Sequence, residues 1–128
     1  MATITKTAHK IAAESFLKLA ASGDVRRAFA TLAGPGFRHH NVHFAGTADA
    51  LATAMEDNAR QHPHKTLAIR QMAEEGDRVW TLSEVHHEPG DRGAAVVHVF
   101  RFEGDRIVEL WDLGQELPEG SPNTNGPF

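Results

Sequence analysis

Residues 93 to 115 read GAAVVHVFRFEGDRIVELWDLGQ, and their alternation decides the fold. Up to Glu103, Val96, His98, Phe100 and Phe102 share one side of an extended chain, and Ala95, Val97, Val99 and Arg101 share the other. Gly104-Asp105 is a tight-turn pair. After it, Val108, Leu110, Asp112 and Gly114 fall on one side, with Ile107, Glu109, Trp111 and Leu113 on the other. The segment therefore predicts two long antiparallel strands. Neither has a fully polar side, so both faces are expected to be covered, by helices or by a second subunit. His98 and Asp112 interrupt otherwise apolar rows. Burying an ionisable group is costly unless it is paired or used for its chemistry. The two are thus either satisfied polar groups in a wet core or the floor of a small-molecule pocket.

Upstream, the period of two begins at Thr66. Strands are expected over 66–75, 78–88, 93–103 and 106–117, joined by hairpin-type turns at Gly76-Asp77, Pro89 to Gly93 and Gly104-Asp105. The first half has helical periodicity instead. A helix over 5–22 carries the stripe Ile11, Ala12, Ser15, Phe16, Leu19 and Ala20. Gly23 closes it, and Asp24 caps a second helix over 25–33 that buries Val25, Ala28, Phe29 and Leu32. Gly34-Pro35-Gly36 stops that helix, and FRHHNVHF at 37–44 is a short extended segment. Thr47 caps a third helix to Gln61, with Leu51, Met55 and Ala59 inward; His62-Pro63-His64 breaks it. The tail PEGSPNTNGPF, 118–128, is an extended arm whose terminal Phe128 has something to dock with. The whole is one α+β domain over 1–128, three helices on one face of a curved antiparallel sheet that closes around an apolar pocket.

A chain of 128 residues with 41% hydrophobic residues suits a single globular core. Thirteen Lys and Arg against 17 Asp and Glu give a net charge of −4 with no basic stripe, so nucleic acid is not an expected partner. No apolar run approaches the roughly 20 residues that span a bilayer, so no membrane is expected either. MATITKTAHKIAAESF lacks the apolar stretch of a secretory signal, and with no cysteine in the chain a cytoplasmic location is expected. The missing cysteines exclude disulfides, thiolate catalysis and Cys-type zinc sites. Tyrosine is also absent, so no phenol can donate a proton.

Nine histidines remain to be placed. His39 and His40 point to opposite faces of an extended segment, so at most one turns inward; His40 is the candidate acid/base group. His40, His98, Glu84 and Asp112 could in principle converge on a metal, but no spaced metal motif is present and none is expected. On the strand over 78–88, Trp80, Leu82, Glu84 and His86 share one face. An even hairpin register, with residue numbers summing to about 182, sets Glu84 opposite His98. That pair is either an ordinary cross-strand ion pair or a carboxylate that orients and charges a catalytic imidazole.

FRHHN, PGDRGAAVVHVFRFEGDRIVELWD and SPNTNGPF, with this order of elements, resemble the SnoaL-like polyketide-cyclase branch of the nuclear transport factor 2-like superfamily. That superfamily shares its cone-shaped, cystatin-like α+β fold with the ketosteroid isomerases. The resemblance covers most of the chain and is strongest from Pro89 to Asp112. It implies that His40 stands where isomerase relatives carry their general base, and His98 where relatives have an oxyanion-holding Asp. Asp112 is similar to the acid/base Asp of the cyclases' "HWD"-type strand. There are departures: Phe16 occupies the isomerases' Tyr position, and Leu110 replaces the His two residues before the Asp. Relatives tend to carry His at the positions of Leu82 and Glu84, so a Glu84–His98 pair would be a swapped form of theirs.

Together these readings predict acid/base catalysis on a small carbonyl compound, by enolisation and aldol-type cyclisation or isomerisation. His40 and Asp112 are the expected base and acid, and His98, protonated through Glu84, the oxyanion donor. Phe16, Trp80, Leu82, Phe100 and Leu110 are the expected substrate-binding wall, and no cofactor is called for. A non-catalytic small-molecule-binding pocket, or a hydrolase or dehydratase on the same pocket, are the alternatives. Val79, Thr81, Val85, Val97, Val99, Trp111 and Leu113 are expected to form an apolar outer face through which two copies pair.

Overall fold

The computed structural model describes residues 6–128. Thr7 caps the first helix, its hydroxyl accepting from the Lys10 N–H at 3.2 Å, and α1 runs Ala8–Ala21. Ala13, Phe16 and Leu17 are its buried side, one position round from the expected stripe, and Ile11 faces solvent. A turn at Ser22-Gly23 leads to α2, Val25–Leu32, which buries Val25 and Ala28 and packs Phe29 and Leu32 on the core. Thr47 caps α3, Ala48–Gln61, its hydroxyl accepting from the Ala50 N–H at 3.2 Å. Leu51 and Ala52 are buried there, with Met55 beside them.

Five strands make one sheet: β1 Ala33–His39, β2 Thr66–Glu75, β3 Arg78–His86, β4 Ala94–Glu103 and β5 Arg106–Glu116, in the spatial order β1-β5-β4-β3-β2. The meander β2 to β5 is antiparallel, as its alternation requires. β1 departs from the antiparallel expectation. It starts at Ala33, runs through the Gly34-Pro35-Gly36 stretch and lies parallel to β5, Arg38 beside Glu109 and His39 beside Leu110. Gly34 permits the approach: a Cβ there would sit 2.9 Å from the Arg106 Cβ.

Phe16, Phe37, Phe100, Ile107 and Leu110 form the centre of the core beneath α1 and α2. Phe16 meets Phe29 and Phe100 edge-on, at centroid separations of 5.2 and 5.9 Å. Phe29 meets Phe37 in the same way at 5.2 Å. Edge-to-face contacts of this kind favour a fixed ring arrangement beyond their apolar area.

One register correction rearranges the sheet's two faces. β3 and β4 pair with Val85 opposite Ala94 and Thr81 opposite His98, so Glu84 faces Ala95 and not His98. The cause lies in the connecting loop. The Asp91 carboxylate accepts the backbone N–H groups of His87 and Glu88 at 2.9 and 3.1 Å, and the Asp91 N–H bonds the Glu88 carbonyl at 3.2 Å. This compact turn takes residues 87–93 out of the ladder, and the register shifts by an odd number of residues, from His98 to Ala95 opposite Glu84, which exchanges the faces of the strand. Val79, Thr81, Ser83 and Val85 therefore face the helices, and Trp80, Leu82, Glu84 and His86 face away from them. Val79, Thr81 and Val85 leave the expected outer face; Trp80 and Leu82 join Val97, Val99, Trp111 and Leu113 there.

The arm after Glu116 has no regular structure. It begins with the Leu117 N–H on the Gly93 carbonyl at 3.1 Å and ends with Phe128 against β2, the Arg70 guanidinium 5.4 Å from its ring centre.

Candidate active site

A cavity of about 320 Å³ opens between the helix-facing side of the sheet and helices α1 and α3. Leu17, Ala20 and Ala21 of α1 and Leu51, Ala54 and Met55 of α3 form its upper wall. Leu67, Val85 and Val96 line the sheet side, and Phe44 comes from the loop after β1. The polar groups are few: Asn41, Asn58, Lys65, His87, His98 and Asp112. An apolar cleft with a small number of convergent polar groups is the usual form of a small-molecule site.

The sheet sets these groups side by side. Thr81, His98 and Asp112 are successive cross-strand neighbours on β3, β4 and β5. Asn41, just past β1, extends the row: its side-chain amide donates to Asp112 Oδ2 at 3.1 Å. His98 is only 7% exposed, and its Nδ1 finds no hydrogen-bond partner. Burial pushes the imidazole down to about 4, against the opposing pull of the Asp112 carboxylate and with a small push from the Lys65 ammonium. The ring is therefore neutral near pH 7. The hydroxyls of Thr81 and Ser83 and the Asn58 Oδ1 are likewise buried without partners. Such groups are costly in a plain core and are retained where a ligand or chemistry uses them.

The other sequence-predicted residues lie elsewhere. His40 is on the far side of the sheet from the cavity, because the parallel register puts His39 beside the inward Leu110 and turns its neighbour outward. His39 is the buried one of the pair, its Nε2 donating to the Ala45 carbonyl at 2.7 Å and its Nδ1 accepting from the Asn41 N–H at 3.1 Å. His39 thereby shapes the loop that aims Asn41 at Asp112. His40 instead donates to Glu109 Oε2 at 2.6 Å and stacks on Trp111 at 4.8 Å. Arg38 and Arg101 donate to the same carboxylate at 2.9 and 2.8 Å. Burial raises the Glu109 pKa, but those three hydrogen bonds outweigh it and hold the group at about 2.

Glu84 is part of a second outward cluster. It accepts from Arg70 Nε at 3.0 Å and from His86 Nε2 at 2.6 Å, and His86 Nδ1 donates to Asp91 at 2.6 Å. Hydrogen bonds to Glu84 and Asp91 raise the His86 pKa, so the imidazole whose basicity a Glu84 pairing raises is His86, not His98. Of the expected substrate wall, Trp80 and Leu82 lie on the face away from the helices, and Phe16, Phe100 and Leu110 belong to the buried core, outside the cavity's lining. With His40 and Glu84 outward and His98 and Asp112 inward, the four cannot share a metal. Among the described residues, no group of three His, Asp or Glu side chains could hold one.

Asn41, Phe44, Lys65 and His87 line the cavity without having been singled out in the sequence. All four sit in loops, where neither period applies. Lys65 follows the break after α3; burial lowers its pKa, and no carboxylate offsets that effect. Burial lowers His87 as well, helped by the charges of Lys65 and His62.

The SnoaL-like domain model matches residues 13–110, from α1 to the inward Leu110 of β5. The chain belongs to the SnoaL-like family. Among solved structures, this SnoaL-like domain is similar to a candidate polyketide cyclase from Bacillus cereus, at 17% identity and a TM-score of 0.72, over 85% of this chain and 75% of that one. A candidate hydroxylase from Streptomyces galilaeus, AclR, gives 18%, 0.69, 84% and 88% by the same measures. An NTF2-like protein of unknown function from Cytophaga hutchinsonii gives 15%, 0.67, 89% and 95%. These likenesses establish the NTF2-like, cystatin-type α+β fold of the SnoaL-like domain. No curated protein matches it. Among the described residues of the domain, no helix is long and apolar enough to cross a membrane.

Proposed function

We propose that this SnoaL-like domain is an acid/base enzyme acting on a small carbonyl compound, with Asp112 and His98 as its reacting pair. One observation carries the reading: the two are direct cross-strand neighbours lining one largely apolar cavity, Asp112 held by Asn41 and His98 with an unsatisfied ring nitrogen. Asp112 removes a proton from the carbon next to the carbonyl. The charge moves to the carbonyl oxygen, where the neutral imidazole of His98 supplies an N–H donor in a dry setting. Returning the proton at a different carbon isomerises the substrate. Attack of the enolate carbon on a second carbonyl of the same molecule forms the carbon–carbon bond of a cyclisation. His40 and Glu84 have no part in this scheme.

The test is solvent deuterium incorporation into a panel of small ketones and diketones, followed by NMR. Asp112→Asn is nearly isosteric; it is expected to keep the melting temperature and lose exchange by a factor on the order of 100 or more. Exchange that is equal in Asp112→Asn and the parent chain defeats the proposal. The apolar majority of the lining favours a binding pocket as the second reading, and that reading stands if ligands bind without any exchange.

The outer sheet face supports pairing of two copies. Trp80, Leu82, Val97, Val99 and Trp111 are contiguous across β3, β4 and β5, and Leu113 is 70% exposed at their edge. A contiguous apolar face of this kind favours contact with a second copy.

A further inference from the structure

We infer that the cavity takes an anionic carbonyl compound, an oxo acid, whose carboxylate is received by Lys65 while its carbonyl reaches His98 and Asp112. This rests on the reading of the reacting pair above and adds the substrate class. Lys65 stands in the loop just before β2, two residues before the inward Leu67, and lines the same cavity as the pair. Leu67 pairs with Val85 and Val85 with Ala94, and His98 is four residues further along β4. The ammonium and the reacting pair are therefore separated along the sheet, with Val85 and Val96 between them as apolar lining.

Most other cationic groups of the sheet have a carboxylate. Arg70 has Glu84, and Arg38 and Arg101 have Glu109. Lys65 has none among the described residues, though it is partly buried and burial disfavours its charge. The one carboxylate in the lining, Asp112, is engaged by Asn41. An unpaired, partly desolvated ammonium is unfavourable in an empty pocket and favours whatever anion enters it. Burial lowers the basicity of the two imidazoles that line the cavity with Lys65, those of His87 and His98. Asn58, lining the same cavity with an unpartnered Oδ1, adds a polar contact for a hydroxyl or a hydrated carboxylate. A neutral ketone would leave all of this unused.

The probes are 4-oxo-4-phenylbutanoate and its methyl ester, which differ in the charge and one methyl group, measured by calorimetry on the full chain. The acid is expected to bind at least tenfold more tightly than the ester. Lys65→Met should abolish that preference while the ester still binds, which also shows that the variant is folded; Lys65→Arg should retain it. Equal affinity for acid and ester, a preference that survives in Lys65→Met, or no binding of the acid at millimolar concentration overturns the inference. Its failure is separable from that of the reacting pair. Acid binding without deuterium exchange leaves Lys65 in place and removes the enolisation chemistry; exchange of neutral ketones with no preference for the acid does the reverse.

Discussion

His98 connects chemistry to stability in one measurable way. Its imidazole titrates near 6.5 in the unfolded chain and at about 4 when buried. Between those values the unfolded chain binds a proton that the folded one refuses, so stability is complete above 6.5 and falls as the pH drops towards 4. The full effect is roughly 3 kcal/mol, the free-energy equivalent of that displacement. His98→Leu removes both the titration and the unpartnered nitrogen. It is expected to raise the melting temperature more at pH 5 than at pH 8, and equal shifts at the two pH values would refute the assignment. Alternation alone pointed to His98 and Asp112, because a titratable group within an apolar row is visible in any strand. The choice between His39 and His40 was not visible. It depends on whether β1 sets Arg38 or His39 beside Leu110, and that is decided by a partner strand far along the chain.

The elements themselves were legible: three helices, of which Thr7 and Thr47 cap the first and third while Asp24 makes no side-chain cap on the second, and four strands of period two, with boundaries displaced by up to three residues. What failed was register, and the failure traces to the loop between β3 and β4. PGDRG reads as a simple hairpin turn, but the Asp91 side chain folds 87–93 into a wider one and exchanges the faces of β3. Trp80, Leu82 and Glu84 were misplaced by that single slip. Gly93 keeps the loop in this form, with φ at +79°, where a Cβ would stand 2.6 Å from the His86 ring. Gly93→Ala is therefore expected to cost about 1–3 kcal/mol in chemical denaturation, through backbone strain and the displaced ring. A cost indistinguishable from zero would mean that the loop has an equally good second conformation. His86 would then be free of Asp91, and its raised basicity should fall with it.

At the scale of the molecule, the cone with its helix-covered pocket follows from the sequence, since a half-apolar sheet needs helices on one side and a partner on the other. The partner is proposed to be a second copy. Sedimentation at micromolar concentration is expected to give a dimer, and Val97→Glu, at the middle of the outer face, a folded monomer. A parent chain that sediments as a monomer would reject the pairing. The parallel strand was the part of the architecture that the sequence hid, and it governs the order in which the protein can be made. β1 is held in the sheet by β5 alone, across 71 residues between Arg38 and Glu109. Closing so long a loop is entropically slow, and nothing rewards it until the last strand exists. On a ribosome, β1 leaves the tunnel early and waits, unpaired, through the synthesis of α3 and three strands. Asn41 waits with it. The bond from Asn41 to Asp112 forms only when β5 docks, so the moment at which the newborn chain completes its sheet is also the moment at which its pocket first acquires both halves.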